Sequence, residues 1–249
     1  MVMERKIIKS AGRVLQVLEY FDEVKRPLAV SEIADHHDWP HSSTSALMST
    51  LVTLGYLHYD PGKRIYQPSM RVALLGDWVH SNLLKEGQLT RLMQYLNDQT
   101  GETIVLAAQN GLHSQYLRVI QGTSALRMYL HIGTLRPLFG SGTGSMLLSH
   151  MEDNTIRKFA KNFNATAEHD KQVDITKVLF DVAADRTRGY AVSLNQVTPH
   201  SGIIAMLLPT APDETPLVLG ISGLTVRLIE NEHRYVETTR NGMKTFLVE

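Results

Sequence analysis

The chain has 249 residues, 25 basic against 25 acidic, with 43% hydrophobic content and no cysteine. Zero net charge leaves no global field to draw in nucleic acid, so any such binding must come from locally placed charge. The missing thiols exclude a disulfide framework, a thiol nucleophile and thiolate metal sites, and the length suits roughly one or two domains with a real core.

The first residues (Glu4, Arg5, Lys6, Lys9) are charged and lack the apolar centre of a signal peptide. A first helix is predicted from Ser10, where Ala11, Val14, Leu15, Leu18 and Phe21 form one apolar stripe. Next, Leu28 to Leu57 reads as two short helices across a tight turn. Ser31 is the expected N-cap of the first, with Ile33, Ala34 and His37 at helical spacing. Asp38-Trp39-Pro40 breaks it, because Asp tolerates the left-handed conformation and the residue before proline is pushed out of the helical region. The second helix, from about Ser42, is expected to bury Leu47, Met48, Leu51 and Leu54. Its other face holds Ser42, Ser43, Ser45, Ala46, Ser49, Thr50 and Thr53, short-chained and uncharged, and suited to lying close against another surface.

Tyr56–Tyr59 and Arg64–Gln67 are expected to pair as a hairpin around Asp60–Lys63. Three helices followed by a hairpin is the winged helix-turn-helix plan, with Lys63 and Arg64 at the tip, where a wing touches a phosphate backbone. Met70–Asn82 has helical character (Val72, Leu75, Val79) and marks a connector. The expected organisation is a DNA-binding domain over 1–69, a linker helix over 70–85 and a second domain over 86–249.

In that second domain a helix over Glu86–Thr100 stops at Gly101. Strands follow at Glu102–Gln109, His113–Gln121 and Leu126–His131, the last with Leu126, Met128 and Leu130 on one side. The cluster Gly140-Ser141-Gly142-Thr143-Gly144 runs into an apolar helix over Ser145–Met151. Helices at Thr155–Phe163 and Asp174–Thr187, the latter capped by Gly189, precede strands at Tyr190–Leu194, Gly202–Leu208 and Leu217–Leu224. A turn at Thr210–Pro216 joins the last two, and a helix over Thr225–Lys244 closes the chain. The fold class is α+β, with a mainly antiparallel sheet in the larger domain. The longest uninterrupted apolar run, Ile203 to Leu208, is far too short to span a bilayer, so a cytoplasmic location without a membrane partner is expected.

The glycine cluster fits neither a dinucleotide fingerprint, which needs glycine where Ser145 stands, nor a phosphate loop with Gly-Lys-Ser/Thr. Backbone amides at the start of a helix still suit a carboxylate or phosphate. His36 and His37 are adjacent, so their rings should point apart on a helix and cannot chelate one metal. Neither a nucleophile elbow nor a His-Glu-x-x-His pattern is present.

The whole chain resembles the IclR family of bacterial transcription regulators. The resemblance starts at Gly12-Arg13-Val14-Leu15, continues through Pro27–Ala34 and Pro40-His41-Ser42-Ser43, and leaves the helix-turn-helix at Leu54-Gly55-Tyr56-Leu57. In the larger domain it rests on Gly101-Glu102-Thr103, Gly133 with Arg136-Pro137-Leu138, Ser141-Gly142-Thr143-Gly144, Arg188-Gly189-Tyr190-Ala191 and Ile221-Ser222-Gly223. It implies a winged helix-turn-helix, a linker helix and a C-terminal GAF-like effector domain with no cofactor, assembled as a homodimer or homotetramer on a double-stranded DNA operator.

By the resemblance, phosphate contacts fall to Arg13, Lys25, Arg26, Lys63 and Arg64, and base readout to His41, Ser42, Ser43, Ser45 and Thr50. The family usually has Lys where His41 stands and Arg where Ala46 stands; between His37 and His58 this chain has neither Lys nor Arg. The effector is implied to sit between the concave sheet and the glycine-rich helix start, against Met128, Gly142, Thr143, Ser193, Ser201 and Ile203, with Arg136 nearby. The Gly142–Gly144 amides and the Thr143 hydroxyl would hold its anionic group, which points to a small carboxylate. A ligand- or protein-binding module that does not touch DNA, and an enzyme built on residues 86–249, are the alternative readings.

Overall fold

The computed structural model describes residues 8–75, 87–209 and 214–247. The chain divides into two compact units, Met1–His80 and Ser81–Glu249. The division falls within the stretch assigned above to the linker.

In the first unit α1 (Lys9–Val24) ends where Lys25 turns left-handed at φ 52°, its N–H donating to the Phe21 carbonyl. β1 (Leu28–Ala29) leads into α2 (Val30–His37), then α3 (His41–Thr53), β2 (Leu57–Asp60), β3 (Ile65–Pro68) and α4 (Met70–Leu74). The three strands form an antiparallel sheet in the order β1-β3-β2. Val17, Phe21, Leu28, Ile33, Met48, Leu51, Leu57 and Tyr66 form its core. The break between α2 and α3 is as expected: Asp38 sits at φ 53° and the Trp39 N–H donates to the Ala34 carbonyl at 2.9 Å.

Two local expectations give way. Ser31 lies inside α2 rather than capping it, because β1 pairs with β3 and delivers the chain to the helix at Val30. The Glu32 carboxylate accepts the Ala29 N–H at 2.9 Å in place of a cap. Leu54 is 53% exposed because α3 ends one residue before it, while Thr44 is buried, its hydroxyl satisfied by the Pro40 carbonyl at 3.1 Å. Of the expected connector helix, α4 is described, and Trp78 and Val79 lie outside the described residues.

The second unit opens with α5 (Gln88–Thr100), closed by Gly101 at φ 68°. A sheet of β4 (Thr103–Asn110), β5 (His113–Ile120), β6 (Leu135–Pro137), β7 (Ala191–Leu194), β8 (Ser201–Leu207) and β9 (Leu217–Leu224) follows. Its order is β6-β5-β4-β9-β8-β7, antiparallel throughout. Between β6 and β7 run α6 (Gly142–Ser149), α7 (Asp153–Thr166) and α8 (Ile175–Arg188), and α9 (Thr225–Leu247) closes the unit.

Helices α5 and α9 cover one face, meeting Ile104, Leu106, Ile204, Met206, Leu219 and Ile221. Helices α6, α7 and α8 cover the other, with Ala191, Ala205 and Val218 beneath them. Successive residues of β4, β8 and β9 therefore enter opposite cores, and these strands read as continuous apolar runs. Among the described residues no helix is long and apolar enough to cross a membrane.

The expected strand Leu126–His131 is absent. Residues 121–134 form an irregular segment, and the edge strand comes later, as β6. The segment is tied down by side chains instead of a ladder. The Thr103 hydroxyl donates to the Met128 carbonyl at 2.5 Å, the Gln121 amide bonds Leu130, and Arg227 Nη2 donates to the Leu126 carbonyl at 2.8 Å. Alternation alone could not reveal this, because period-2 patterning also fits an extended segment that pairs with no strand; on the one side, Leu130 is buried and Leu126 is 71% exposed.

Arg227 also forms a forked ion pair with Glu102, which is fully buried, and the Tyr235 hydroxyl lies 3.4 Å from the same carboxylate. A Cβ on Gly223 would stand 2.5 Å from that carboxylate, so the pair needs the glycine.

Candidate functional site

On the first unit α3 exposes His41, Ser42, Ala46, Ser49, Thr50 and Thr53, with Ser43 and Ser45 half-buried. The exposed face is the uncharged one read from the sequence. Several of its hydroxyl protons are committed to the helix itself. Ser43 Oγ donates to the Pro40 carbonyl at 3.0 Å and Thr50 Oγ1 to the Ala46 carbonyl at 2.8 Å. What these groups turn outward are oxygen lone pairs, which match the amino groups of adenine and cytosine in a major groove.

The cations assigned to DNA are not equivalent. Lys25, Lys63 and Arg64 are exposed, the last two at the β2–β3 turn, where Asp60 Oδ1 accepts the Gly62 and Lys63 N–H groups and Arg64 adopts φ 56°. Arg26 is bound to Glu32 at 2.7 Å, which raises its own pKa and lowers that of the carboxylate. A phosphate would have to compete with that partner. Arg13 is placed differently again. Its guanidinium lies over the Trp39 ring at 4.6 Å, and Nη1 donates to Ser43 Oγ at 3.3 Å. This brings a positive charge from α1 to the start of the uncharged recognition helix.

Behind Trp39 runs an aromatic stack that the sequence reading missed. Tyr20 stacks on His36 at 3.8 Å, and His37 stacks on Trp39 at 4.3 Å. His36 and His37 themselves meet edge to face at 4.6 Å rather than pointing apart, because both rings are drawn into this stack. Burial, helped by the neighbouring His36, pushes the His37 pKa below its ordinary 6.5, and its Nε2 is buried without a partner. Among the described residues no three metal-ligating side chains converge.

On the second unit a cavity of about 40 Å³ lies between the sheet and the start of α6. Met128, Arg136, Gly142, Thr143, Ser193, Ser201 and Ile203, dispersed along the sequence, all line it. Gly144 does not. A Cβ there would come within 2.2 Å of the Leu138 carbonyl oxygen, so this glycine is required by backbone packing. Helix α6 begins at Gly142, three residues earlier than expected. Its N-cap Ser141 accepts the Gly144 N–H at 3.1 Å and donates to the Pro137 carbonyl at 2.6 Å. The Gly142 and Thr143 amides, in the first turn, have no intrahelical acceptor.

Thr143 is 1% exposed, and its hydroxyl, against the cavity, is buried without a partner. Opposite stands Tyr116, which sequence reasoning did not single out, beside the expected Arg136. Tyr116, itself buried, has its phenol pKa raised by desolvation, and the Arg136 guanidinium lies 5.7 Å from its ring centroid. No carboxylate pairs with Arg136 among the described residues. Met128, Leu130 and Ile203 supply the apolar wall. First-turn amides without an intrahelical acceptor, an unpartnered hydroxyl, a phenol and a cation without a carboxylate partner around so small a space favour an anion.

Comparisons with known proteins agree with both halves. The model described as the IclR helix-turn-helix domain matches residues 10–61, and that of the bacterial transcriptional regulator IclR C-terminal domain matches residues 80–243. The HTH-type transcriptional regulator XynR of Escherichia coli (strain K12) is 24% identical over 91% of this chain and 90% of its own. The acetate operon repressor of Salmonella typhimurium is 24% identical over 90% of this chain and 83% of its own. Among solved structures, an IclR family transcriptional regulator from Brucella abortus is 27% identical, with a TM-score of 0.56 over 97% of this chain and 94% of its own.

Proposed function

Because the chain belongs to the IclR family of bacterial transcriptional regulators, we propose that its hold on operator DNA is set by a small carboxylate bound in the C-terminal unit. Its first unit is a helix-turn-helix DNA-binding domain. In this reading α3 enters a major groove and the β2–β3 turn lies on the phosphate backbone. The effector occupies the cavity at the start of α6, and it acts by favouring one arrangement of the protein over another. The observation that carries the effector assignment is the buried, unpartnered Thr143 hydroxyl in the first turn of α6.

The working form is a homodimer or homotetramer in the cytoplasm. Light scattering that returned the 27.9 kDa mass of a single chain at micromolar concentration would remove the oligomer.

The DNA assignment is tested on a duplex selected from a random library by the full-length protein. Each phosphate contact contributes about 0.9 to the slope of log affinity against log salt. Arg64→Ala should therefore weaken binding to every sequence and flatten the slope by about one unit. Arg26→Ala should change the slope by less, because that guanidinium is already held by Glu32. An unchanged slope in Arg64→Ala would show that the β2–β3 turn does not touch DNA.

A further inference from the structure

Between His37 and His58 the chain has neither Lys nor Arg, so the recognition helix carries no Lys or Arg of its own. Arg13 reaches it from α1. Its Nε is buried without a partner, and Nη1 donates to Ser43 Oγ at 3.3 Å, in the first turn of α3. Unlike Arg26, it has no carboxylate partner among the described residues. A cation held there without a counter-ion suits a backbone phosphate.

What holds the cation is Trp39. The guanidinium carbon lies 4.6 Å from the ring centroid, within cation–π range. Trp39 is itself fixed. Its N–H donates to the Ala34 carbonyl, Pro40 restricts its backbone, and His37 stacks on its ring at 4.3 Å and 15° from parallel. His37 meets His36 edge to face, and His36 stacks on Tyr20 of α1. Tyr20 and Arg13 stand about two turns apart on that helix, so the stack leaves α1 at one residue and returns to it at the other. An arginine already laid on a ring has less rotamer freedom to lose when it grips an anion.

Resting on the reading that α3 enters a major groove, we propose that Trp39 is a positioning residue for DNA binding. It holds Arg13 against one backbone phosphate at the start of α3, and His37 steadies the ring that does so.

The test uses the full-length protein and its selected duplex, with one phosphate at a time replaced by a neutral methylphosphonate. One position in each half-site should cost the wild type about tenfold in affinity and cost Arg13→Ala nothing further. Trp39 packs against the core of the first unit, so Trp39→Leu keeps an apolar side chain there while removing the ring. It should lose the penalty at that same phosphate and leave the penalties at other positions in place, which a general loss of stability would not do. Trp39→Phe keeps an aromatic face and should restore the penalty to within about threefold of wild type. His37→Ala tests the support without altering Trp39, and should lower the penalty by about threefold.

A penalty of wild-type size in both Trp39→Leu and His37→Ala would overturn the inference and leave the DNA reading standing. So would a wild-type profile over all phosphates in Arg13→Ala. A wild-type protein that selects no duplex would overturn the inference and the DNA reading together.

Discussion

Thr143→Glu is expected to abolish the response to carboxylates while the unliganded protein keeps its affinity for the operator. The substitution places a fixed negative charge in a cavity of about 40 Å³, against the Gly142 and Thr143 amides that would otherwise receive the ligand. The helix N-terminus favours that charge, so the new side chain satisfies the amides itself and repels a second anion. Hydrogen bonds to a charged group are worth about 1.5–3 kcal/mol each, so losing the amides costs about a hundredfold in ligand affinity or more. Thr143→Val keeps the shape without the hydroxyl and should lose roughly tenfold. Calorimetry decides: unchanged carboxylate affinity in Thr143→Glu moves the site away from α6.

The second large effect concerns the ion pair between Glu102 and Arg227. Glu102→Gln is expected to destabilise the C-terminal unit by about 3 kcal/mol. Removing one member of a buried pair typically costs about 3–5 kcal/mol, and the low end applies because the Arg227 side chain keeps 28% exposure and can be partly rehydrated. For a unit of this size the melting temperature should fall by roughly 6–12 °C.

The loss should also reach the ligand. Arg227 holds the Leu126 carbonyl, at the head of the segment that brings Met128 and Leu130 to the cavity. Carboxylate binding should weaken along with stability, whereas Arg240→Ala, on the far half of α9 with its half-exposed partner Glu237, should leave it alone. A melting temperature within 2 °C of wild type would mean that the pair is not what fixes the segment.

Much of the chain is written in local patterns. The break at Asp38-Trp39-Pro40, the Gly101 and Gly189 helix stops and the β9 limits follow from side-chain geometry and from spacing over a few residues. Family motifs carried more: they pointed to seven dispersed residues that the fold gathers around one cavity.

What the sequence could not decide are the choices made by distant partners. Residues 126–131 alternate like a strand, yet β5 pairs with Leu135–Pro137, and side chains from β4 and α9 hold the alternating stretch instead. Ser31 looks like a cap until β3 draws Leu28 and Ala29 into a sheet. Arg26 and Arg13 are equal as letters, but one is bound to Glu32 while the other is carried over Trp39 to the recognition helix. Gly142 and Gly144 belong to one motif, and only packing separates the glycine that borders the cavity from the one pressed against the Leu138 backbone. Periodicity fixes the direction in which a side chain leaves its own element; what it meets there depends on residues that may lie a hundred positions away, as Glu102 and Arg227 do.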